Sequence, residues 1–397
     1  MAAPSEQPIL IVGGGIGGLA ACLALSQLGF PVTVIEQASE IGEIGAGIQL
    51  GPNAFTAMDA LGAGERLRRR AVYVERLVMM DAIDESEVAS VPLGEGFRRR
   101  FGDAYAVIHR ADIHRSIHEE VQLARNIRFL TSTRIADVRI DAGGVQVTDA
   151  HGTVRHGAAL IGADGVKSVV RAHLVGDTHR VSGHVVYRGV VPRDDMPANL
   201  RWNAAALWAG PNCHLVHYPL RGGEQYNLVV TFHSREHEEW GIKEGSQDEV
   251  NSYFQGIGPR PRQLLTRPTS WKRWATADRD PVDHWGRACA TLLGDAAHPM
   301  LQYMAQGACM ALEDAVTLRE AIKACDLNLD AGFRLYEAKR IVRTARVVYA
   351  SREMGRIYHA SGVERLVRNT LWKDRTPERH YDALEWLYGW TAETCLR

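Results

Sequence analysis

The sequence predicts an α/β fold in which a nucleotide-binding domain with a parallel sheet is interwoven with a second domain rich in β-strands. Three observations predict it. A short apolar strand at Ile9–Val12 runs into a glycine turn and a helix, and another strand follows at Val32–Glu36. Two more buried strands, Ala158–Ala163 and Thr291–Gly294, lie far along the chain. Between them, residues 181–271 show alternating patterns divided by Gly and Pro turns.

This order of segments places each domain in several pieces of the chain. We expect the nucleotide-binding domain to comprise residues 1–75, 102–180 and 272–345. The β-rich domain takes residues 76–101, where we expect strands, and 181–271. Residues 346–397 are predicted to form C-terminal helices. A chain of 397 residues is long enough for two or three domains with a large core.

Composition and charge exclude several classes of protein. Hydrophobic residues make up 46% and charged residues 23% of the chain, and the formal net charge is −1. A balanced charge gives no overall field that would attract nucleic acid or an anionic membrane, so we expect neither partner. No uncharged stretch reaches the length of a membrane span. Six scattered cysteines without a C-x-x-C pair predict no metal site and fit reduced thiols in a cytoplasmic protein, whether monomer or homodimer.

The glycines after the first strand form the pattern Gly13-x-Gly15-x-x-Gly18. Gly13 permits the tight turn, Gly15 lets the backbone approach a pyrophosphate, and Gly18 allows close packing of helix and strand. The start of the helix offers free N–H groups to the phosphates. Glu36, at the end of the next strand, can accept hydrogen bonds from ribose hydroxyls. The pattern predicts a Rossmann-like dinucleotide site for FAD or NAD, so an NAD-dependent dehydrogenase is an alternative at this point.

Two later motifs distinguish between these cofactors. Ile161–Arg171, with Asp164, resembles the DG motif of the single-component FAD-dependent aromatic hydroxylases (group A flavoprotein monooxygenases). Leu293–Pro299, with Asp295, resembles the GD motif of the same family. The three motifs occur in the order of that family and span most of the chain. The resemblance implies the aromatic-hydroxylase fold, in which a Rossmann-like FAD domain is interwoven with a β-sheet domain that binds the substrate.

The resemblance also implies which residues bind FAD. In the family, the Asp that matches Asp295 binds the ribityl chain, the Arg that matches Arg110 lies near the flavin, and the segment that matches Gly45–Asn53 lies over the flavin ring. The helix after the GD motif begins near Gly307 and Ala308. The expected FAD contacts are therefore Gly13, Gly15, Gly18, Glu36, Gly47, Arg110, Asp164, Asp295, Gly307 and Ala308.

Two segments are expected to carry the substrate pocket. Cys213–Leu220 and His298–Tyr303 together are most similar to the members of the family that hydroxylate 3-hydroxybenzoate. In those members a His, a Tyr four residues later and a Gln after the GD motif line the pocket. The matching residues here, which we expect to be catalytic and to bind substrate, are His214, Tyr218 and Gln302, with Gln49 as a further substrate contact.

The chemistry of hydroxylation suits these side chains. Attack on a phenolic ring is faster when its hydroxyl is ionised, so a base beside the hydroxyl assists the reaction. On an antiparallel strand His214 and Tyr218 face one side, whereas His217 faces the other. We therefore expect His214, assisted by Gln302, to act on the hydroxyl and Tyr218 to bind the carboxylate. The residues alone leave open a structural role for His214 and a core role for Tyr218.

The resemblance implies hydroxylation of a small phenolic acid with O2 and FAD, through a flavin C4a-hydroperoxide. The expected reaction is para-hydroxylation of 3-hydroxybenzoate to 2,5-dihydroxybenzoate (gentisate), with NADH or NADPH as the electron donor. The chain has no second GxGxxG motif, so NAD(P)H is expected to dock without a domain of its own. The remaining alternatives are another phenolic-acid hydroxylase, such as salicylate 1-hydroxylase, and a non-enzymatic FAD- or lipid-binding protein.

Overall fold

The structure, a computed structural model, describes residues 7–42, 47–141 and 144–397. The strands are β1 (Ile9–Val12), β2 (Val32–Ile35), β3 (Gly47–Leu50), β4 (Val72–Tyr73), β5 (Arg76–Asp81), β6 (Glu87–Pro92), β7 (Ala106–His109), β8 (Ile127–Leu130), β9 (Ile135–Asp141), β10 (Gly144–Asp149), β11 (Val154–Gly157), β12 (Ala159–Gly162), β13 (Arg180–Pro192), β14 (Ala204–Gly210), β15 (Cys213–Leu220), β16 (Gln225–His233), β17 (Gly241–Glu244), β18 (Lys272–Asp278) and β19 (Ala290–Leu292). The α-helices are α1 (Ile16–Gln27), α2 (Pro52–Ala60), α3 (Gly64–Arg68), α4 (Glu95–Phe101), α5 (Arg110–Val121), α6 (Val169–Leu174), α7 (Gln247–Tyr253), α8 (Pro259–Leu265), α9 (Gly307–Ala324), α10 (Leu329–Tyr358), α11 (Gly362–Trp372) and α12 (Pro377–Tyr388).

Five parallel strands form the sheet at the beginning of the chain, in the order β19-β12-β1-β2-β8. Every residue of β1, β2 and β12 is buried, which explains why these strands are apolar apart from Thr33. The helices α1 and α9 contribute to the same hydrophobic core as these strands. The sheet therefore holds the turns after β1, β12 and β19, which carry the three sequence motifs, at one edge.

A second sheet has eight strands in the order β17-β18-β13-β16-β15-β14-β5-β6. Its neighbours pair antiparallel except for β14 and β5, which are parallel. One core lies on the side of Trp208 and Phe232. Another core contains Tyr218 of β15 together with Met310 of α9 and Val347 of α10. The second core joins the eight-stranded sheet to the helices that follow the GD motif.

Most of the predicted elements are confirmed, and two predictions are wrong in part. Residues 76–101 supply strands β5 and β6 as expected, but Glu95–Phe101 is a helix, because Phe97 and Phe101 occupy one helix face and are both buried. The β-rich stretch 181–271 also contains the helices α7 and α8. The glycines at positions 143 and 144 predict a hairpin between the strands on either side of them. Residues 142 and 143 lie outside the described residues, and Gly144 pairs with Asp141.

The C-terminal helices return to the eight-stranded sheet. Helix α10 is 30 residues long and ends beside β15, where His359 is its C-cap residue. Helix α11 is attached to Asp81 of β5 by Arg365, Arg368 and Asn369. Within the described ranges, no helix combines the length and the apolar character needed to cross a membrane.

Candidate active site

The glycine turn after β1 leaves no space for a side chain at two of its glycines. Gly13 has a φ of +106°, and a Cβ on it would lie 2.3 Å from the carbonyl oxygen of Ala163. A Cβ on Gly18 would lie 1.9 Å from the carbonyl oxygen of Gly13. Gly15 is the N-cap of α1; among the described residues no side chain caps the helix, and no acidic residue lies in its first turn. The free N–H groups of this helix start therefore fit a pyrophosphate.

Glu36 lies beside this turn. Its carboxylate accepts hydrogen bonds from the N–H groups of Gly14 and Ala38, both at 2.7 Å. These bonds hold the carboxylate at the end of β2, next to the start of α1. The position is the one at which an acidic residue meets the ribose of a bound dinucleotide.

The GD motif lies next to a second uncapped helix start, that of α9. The chain turns after β19 at Gly294, which has a φ of +62°. The side chain of Asp295 is exposed, and no described residue bonds to its carboxylate. A Cβ on Gly307, the first residue of α9, would lie 3.7 Å from Asp295 Oδ1. Helix α9, with Ala308 in its first turn, has no side-chain cap and no acidic residue there. This combination of an exposed acceptor and free N–H groups fits the hydroxyls and carbonyls of a flavin.

The DG motif supports the site through the backbone of its neighbours. Asp164 accepts hydrogen bonds from Ser168 Oγ and from the N–H group of Val169, the latter at 2.7 Å. It therefore caps the start of α6, and its Cα would lie 3.0 Å from a Cβ on Gly13. Burial raises the pKa of Asp164, and the hydrogen bond from Ser168 opposes that rise. Arg171 donates to the carbonyl oxygen of Ala296 at 3.0 Å and so links the DG motif to the GD motif.

Strand β3, in the segment expected to lie over the flavin, is next to β15, in a segment expected to line the substrate pocket. Residues 43–46 of the expected Gly45–Asn53 segment lie outside the described residues, and Gly47 begins β3. A Cβ on Gly47 would lie 2.7 Å from Tyr218 Cε2, so only glycine allows this close approach. The side chain of Gln49 is held by Tyr105, whose hydroxyl donates to Gln49 Oε1 at 2.7 Å. Arg110 begins α5 and is exposed.

The alternation predicted for β15 is confirmed. His217 packs against Trp202, on the side of the core that contains Leu215. Val216 and Tyr218 belong to the core on the other side. His214 follows the same period of two and contacts Tyr303 and Tyr358, at ring-centroid distances of 5.4 and 5.7 Å. His214 and Tyr218 therefore face the same side of the sheet.

The His214 ring has a partner that the sequence did not reveal. Its Nδ1 lies 2.8 Å from Nε2 of His359, and the two rings share a hydrogen bond. His214 is 3% exposed. Burial, followed by the charge of His184, lowers the pKa of His214 to about 3. A ring in this environment is neutral at physiological pH and does not hold a second proton by itself.

Gln302 carries an unused donor. It begins the short 3₁₀-helix Gln302–Met304, and its buried Nε2 has no hydrogen-bond partner among the described residues. A buried donor without a partner costs about 1–3 kcal/mol unless a ligand satisfies it. The next residue, Tyr303, contacts the His214 ring. The structure therefore places the Gln302 segment beside the His214 segment, and the free amide fits a ligand oxygen.

Arg188 on β13 is a further residue that sequence reasoning missed. Its guanidinium lies 5.8 Å from the ring centroid of Trp274 and makes no ion pair with a described carboxylate. Its Nη1 reaches the carbonyl oxygen of Gly47 at 3.5 Å. Burial lowers the pKa of Arg188, whereas the nearby phenol of Tyr218 raises it. A partly buried cation beside Tyr218 that lacks a carboxylate is suited to bind an anion.

Comparison with known sequences supports the same type of site. A family model described as FAD binding domain matches residues 6–351. A 3-hydroxybenzoate 6-hydroxylase of Polaromonas naphthalenivorans (strain CJ2) is 64% identical over 99% of this chain and 98% of its own. A protein of the same name from Klebsiella oxytoca is 59% identical over 98% of both chains.

Solved structures extend the comparison to the fold. A variant of Klebsiella pneumoniae HpxO in complex with FAD has a TM-score of 0.85 and is 25% identical, with 97% of this chain and 99% of that chain covered. A salicylate hydroxylase substrate complex has a TM-score of 0.83 at 25% identity and covers 99% of this chain and 98% of its own. With the uncapped helix starts and the glycine turn, these matches show that the chain belongs to the FAD binding domain family and, within it, to the FAD-dependent aromatic hydroxylases.

Proposed function

We propose that the protein hydroxylates 3-hydroxybenzoate para to its hydroxyl group and releases 2,5-dihydroxybenzoate. The balanced reaction is 3-hydroxybenzoate + NADH + O2 + H⁺ → 2,5-dihydroxybenzoate + NAD⁺ + H2O. The observation that carries the proposal is the identity of 59–64%, over 98–99% of the chain, to two proteins named 3-hydroxybenzoate 6-hydroxylase. The geometry of the candidate site supports the role proposed below for each side chain.

Two helix starts and their acidic neighbours form the proposed FAD site. When bound, FAD supplies the centre that accepts hydride from NADH and activates O2. The α1 start holds the pyrophosphate, Glu36 the ribose, and Asp295 the ribityl hydroxyls. The other proposed contacts are Gly47, Arg110, Asp164, Gly307 and Ala308, of which Asp164 acts by shaping the turn that it caps.

The domain division expected from the sequence is proposed with one change. Strands β5, β6 and β13–β17 belong to the eight-stranded sheet, in agreement with a substrate domain formed by 76–101 and 181–271. Strand β18 (Lys272–Asp278) pairs with β13 and β17 in the same sheet. We therefore move the start of the last FAD-domain segment from 272 to 279.

The substrate ring is proposed to lie along β15. His214 and Tyr218 are four residues apart on one face, so their Cα atoms are separated by about 13 Å in an extended strand. Val216 lies between them on the same face. In this arrangement His214 meets the phenolic hydroxyl at one end of the ring and Tyr218 meets the carboxylate at the other. The Gln302 amide donates to the phenolate oxygen, which satisfies its unused Nε2.

Arg188 is proposed to neutralise the carboxylate. It is next to Tyr218, whose pKa is raised by burial and lowered by the charge of Arg188. A substrate carboxylate would remove the cost of leaving this cation without an anion in a pocket of low polarity. The pocket then recognises both polar groups of 3-hydroxybenzoate. Salicylate, with its hydroxyl ortho to the carboxylate, cannot reach both sets of partners in one orientation.

We expect Arg188→Gln to raise the dissociation constant of 3-hydroxybenzoate by about 10–150-fold, which corresponds to ~1.5–3 kcal/mol for one hydrogen bond to a charged group. The neutral analogue 3-hydroxybenzyl alcohol is the matched control, because its dissociation constant should change less than threefold. Both constants are measured by titration of the flavin absorbance. Equally weaker binding of the charged and the neutral ligand, or purification without FAD, would contradict the proposal that Arg188 binds the carboxylate.

Product identification tests the proposed function. We expect the purified protein with FAD and NADH to convert 3-hydroxybenzoate into 2,5-dihydroxybenzoate, and to leave 2- and 4-hydroxybenzoate unhydroxylated. Products and NADH consumption are measured by chromatography and absorbance. Efficient formation of catechol and carbon dioxide from salicylate would instead support a decarboxylating hydroxylase, and turnover of none of the isomers would contradict the proposal altogether.

A further inference from the structure

A cluster of histidines leads from the candidate pocket to the surface. His214 and His359 share a hydrogen bond of 2.8 Å. The ring of His359 lies 5.4 Å from that of His184, which in turn lies 5.2 Å from that of His233 (centroid distances). His214 is buried, whereas His233 is exposed. Only His214 was expected from the sequence, so the cluster adds three histidines to the site.

The cluster is held in place by groups on several elements. The Tyr303 hydroxyl, from the segment after the GD motif, lies 2.7 Å from Nδ1 of His184. The ring of Tyr358 lies 5.7 Å from that of His214. The charged residues nearest to His184 are Arg180 and Asp278, which form an ion pair with each other at 2.9 Å. The described residues therefore place no unpaired carboxylate in the cluster that would keep an imidazolium there.

We propose that His359 is a positioning residue for His214: it fixes the tautomer that leaves His214 Nε2 free, and it receives the Nδ1 proton when Nε2 takes the proton of the substrate hydroxyl. This inference rests on the proposed function, because it concerns ionisation of a phenolic substrate. Before transfer, His214 carries its proton on Nδ1 and donates it to Nε2 of His359. After transfer, the substrate is a phenolate, His214 is neutral with its proton on Nε2, and His359 is an imidazolium. The O–H bond of the substrate and the Nδ1–H bond of His214 break, and the Nε2–H bonds of His214 and His359 form; no other bond changes.

The geometry explains why His214 alone would not be enough to accept the proton of the substrate hydroxyl. A charge on the His214 ring would be enclosed by tyrosine rings and would repel a charge on His184. Transfer to His359 moves the positive charge one ring closer to exposed His233, from which it can pass to water. Burial and the charges of His214, His184 and His233 all lower the pKa of His359, so an imidazolium there is less stable than in water. The cluster conducts the proton and does not retain it.

The backbone of His359 has a separate structural role, which makes the side chain testable. The carbonyl oxygen of His359 accepts a hydrogen bond of 3.0 Å from the N–H group of Asn212, next to β15. A substitution of the side chain leaves this bond in place. His359→Gln keeps an oxygen that accepts from His214 Nδ1 but cannot take up the proton. His359→Leu removes the acceptor as well.

The test uses the FAD-containing enzyme with 3-hydroxybenzoate. The first measurement, without NADH, is the pH at which the bound ligand ionises, from its ultraviolet difference spectrum. The second measurement is the yield of 2,5-dihydroxybenzoate per NADH consumed. In His359→Gln we expect ionisation at least one pH unit higher than in the wild type and a product yield at least threefold lower, with FAD content and ligand affinity within twofold. His359→Leu should show at least the same changes.

The control is His217→Gln, a buried histidine on the opposite face of β15, which should leave both measurements unchanged. The proposal is overturned if His359→Gln ionises the ligand at the wild-type pH and gives the wild-type yield, as a purely structural hydrogen bond would allow. It is also overturned if His217→Gln produces the same shift. Failure of the wild type to form 2,5-dihydroxybenzoate contradicts the proposed function instead, and the ionisation measurement still decides the role of His359 because it needs no turnover.

Discussion

Gly18→Ala should yield protein that contains less than a tenth of the wild-type FAD. A Cβ at this position would lie 1.9 Å from the carbonyl oxygen of Gly13 and 3.0 Å from its carbonyl carbon. Both atoms are backbone, and the φ of +106° at Gly13 leaves that turn little freedom to move. The start of α1 must therefore shift away from β1, and its N–H groups no longer converge on one pyrophosphate. The FAD content is measured from the ratio of absorbance at 450 and 280 nm, with added FAD to test for recovery.

Gly17→Ala is the matched control, because it makes the same change one residue earlier in the same helix. Its Cβ would meet Leu293 Cδ2 at 2.9 Å, the end of a flexible side chain, and Ala311 Cβ at 3.4 Å. Both variants gain about 1 kcal/mol of helix propensity. We expect Gly17→Ala to retain more than half of its FAD. Full FAD occupancy in Gly18→Ala would show that the turn does not hold the pyrophosphate.

The parts of the site that follow from local geometry could be predicted from the sequence. Gly13 and Gly18 act on atoms within one turn, and the spacing of glycines records that constraint directly. The sides of β15 also follow from its period of two, which placed His214 and Tyr218 together and His217 apart. In each case the relevant neighbour is close in sequence. Their contacts with cofactor and substrate remain predictions.

The parts of the site that depend on distant segments could not be predicted from the residues. His359 is 145 positions from His214 in the sequence, and the two bond because α10 ends beside β15. Arg188 lies beside the candidate site because its side chain reaches Gly47 of β3, 141 positions away. Arginine is common in this sequence, so neither periodicity nor composition distinguishes Arg188 from a surface residue. Such contacts depend on how distant elements pack against one another, and a single sequence does not contain that information.

The sequence of the short helix α4 has a helical pattern, but the alternating pattern of the neighbouring strands made it hard to recognise. Phe97 and Phe101 are spaced four residues apart, and their ring centroids lie 4.8 Å apart. Gly94 before the helix and Gly102 after it, with a φ of +81°, mark both ends. The arginines at positions 98–100 lie on the exposed side. The helical period of three to four residues would have identified this element without any information from the rest of the chain.

Arg340→Met should lower the free energy of unfolding by about 3–5 kcal/mol, because it removes one partner from a buried network of charges. Arg340 is 1% exposed and donates to Asp314 Oδ1 at 2.6 Å and to Glu313. Both carboxylates are fully buried in α9. They remain bonded to groups of the cofactor site, since Asp314 also binds His298 of the GD motif at 2.6 Å and Glu313 binds Asn53 of α2 at 2.7 Å. Chemical denaturation of the FAD-containing protein measures the change.

The pH dependence of this loss has a definite sign. Burial would raise the pKa of Asp314, but His298 and Arg340 outweigh it and lower the pKa from 3.8 to about 2. A carboxyl group whose pKa is lowered by folding stabilises the folded state above its unfolded pKa, and that contribution is lost as the pH falls through the folded value. The difference between wild type and Arg340→Met should therefore be full at pH 7 and shrink between pH 4 and 2. The control on the same helix is Arg356→Met, whose exposed ion pairs with Glu353 and Glu364 should contribute little to stability. Equal losses in the two variants would mean that burial of the Arg340 network does not determine its contribution to stability.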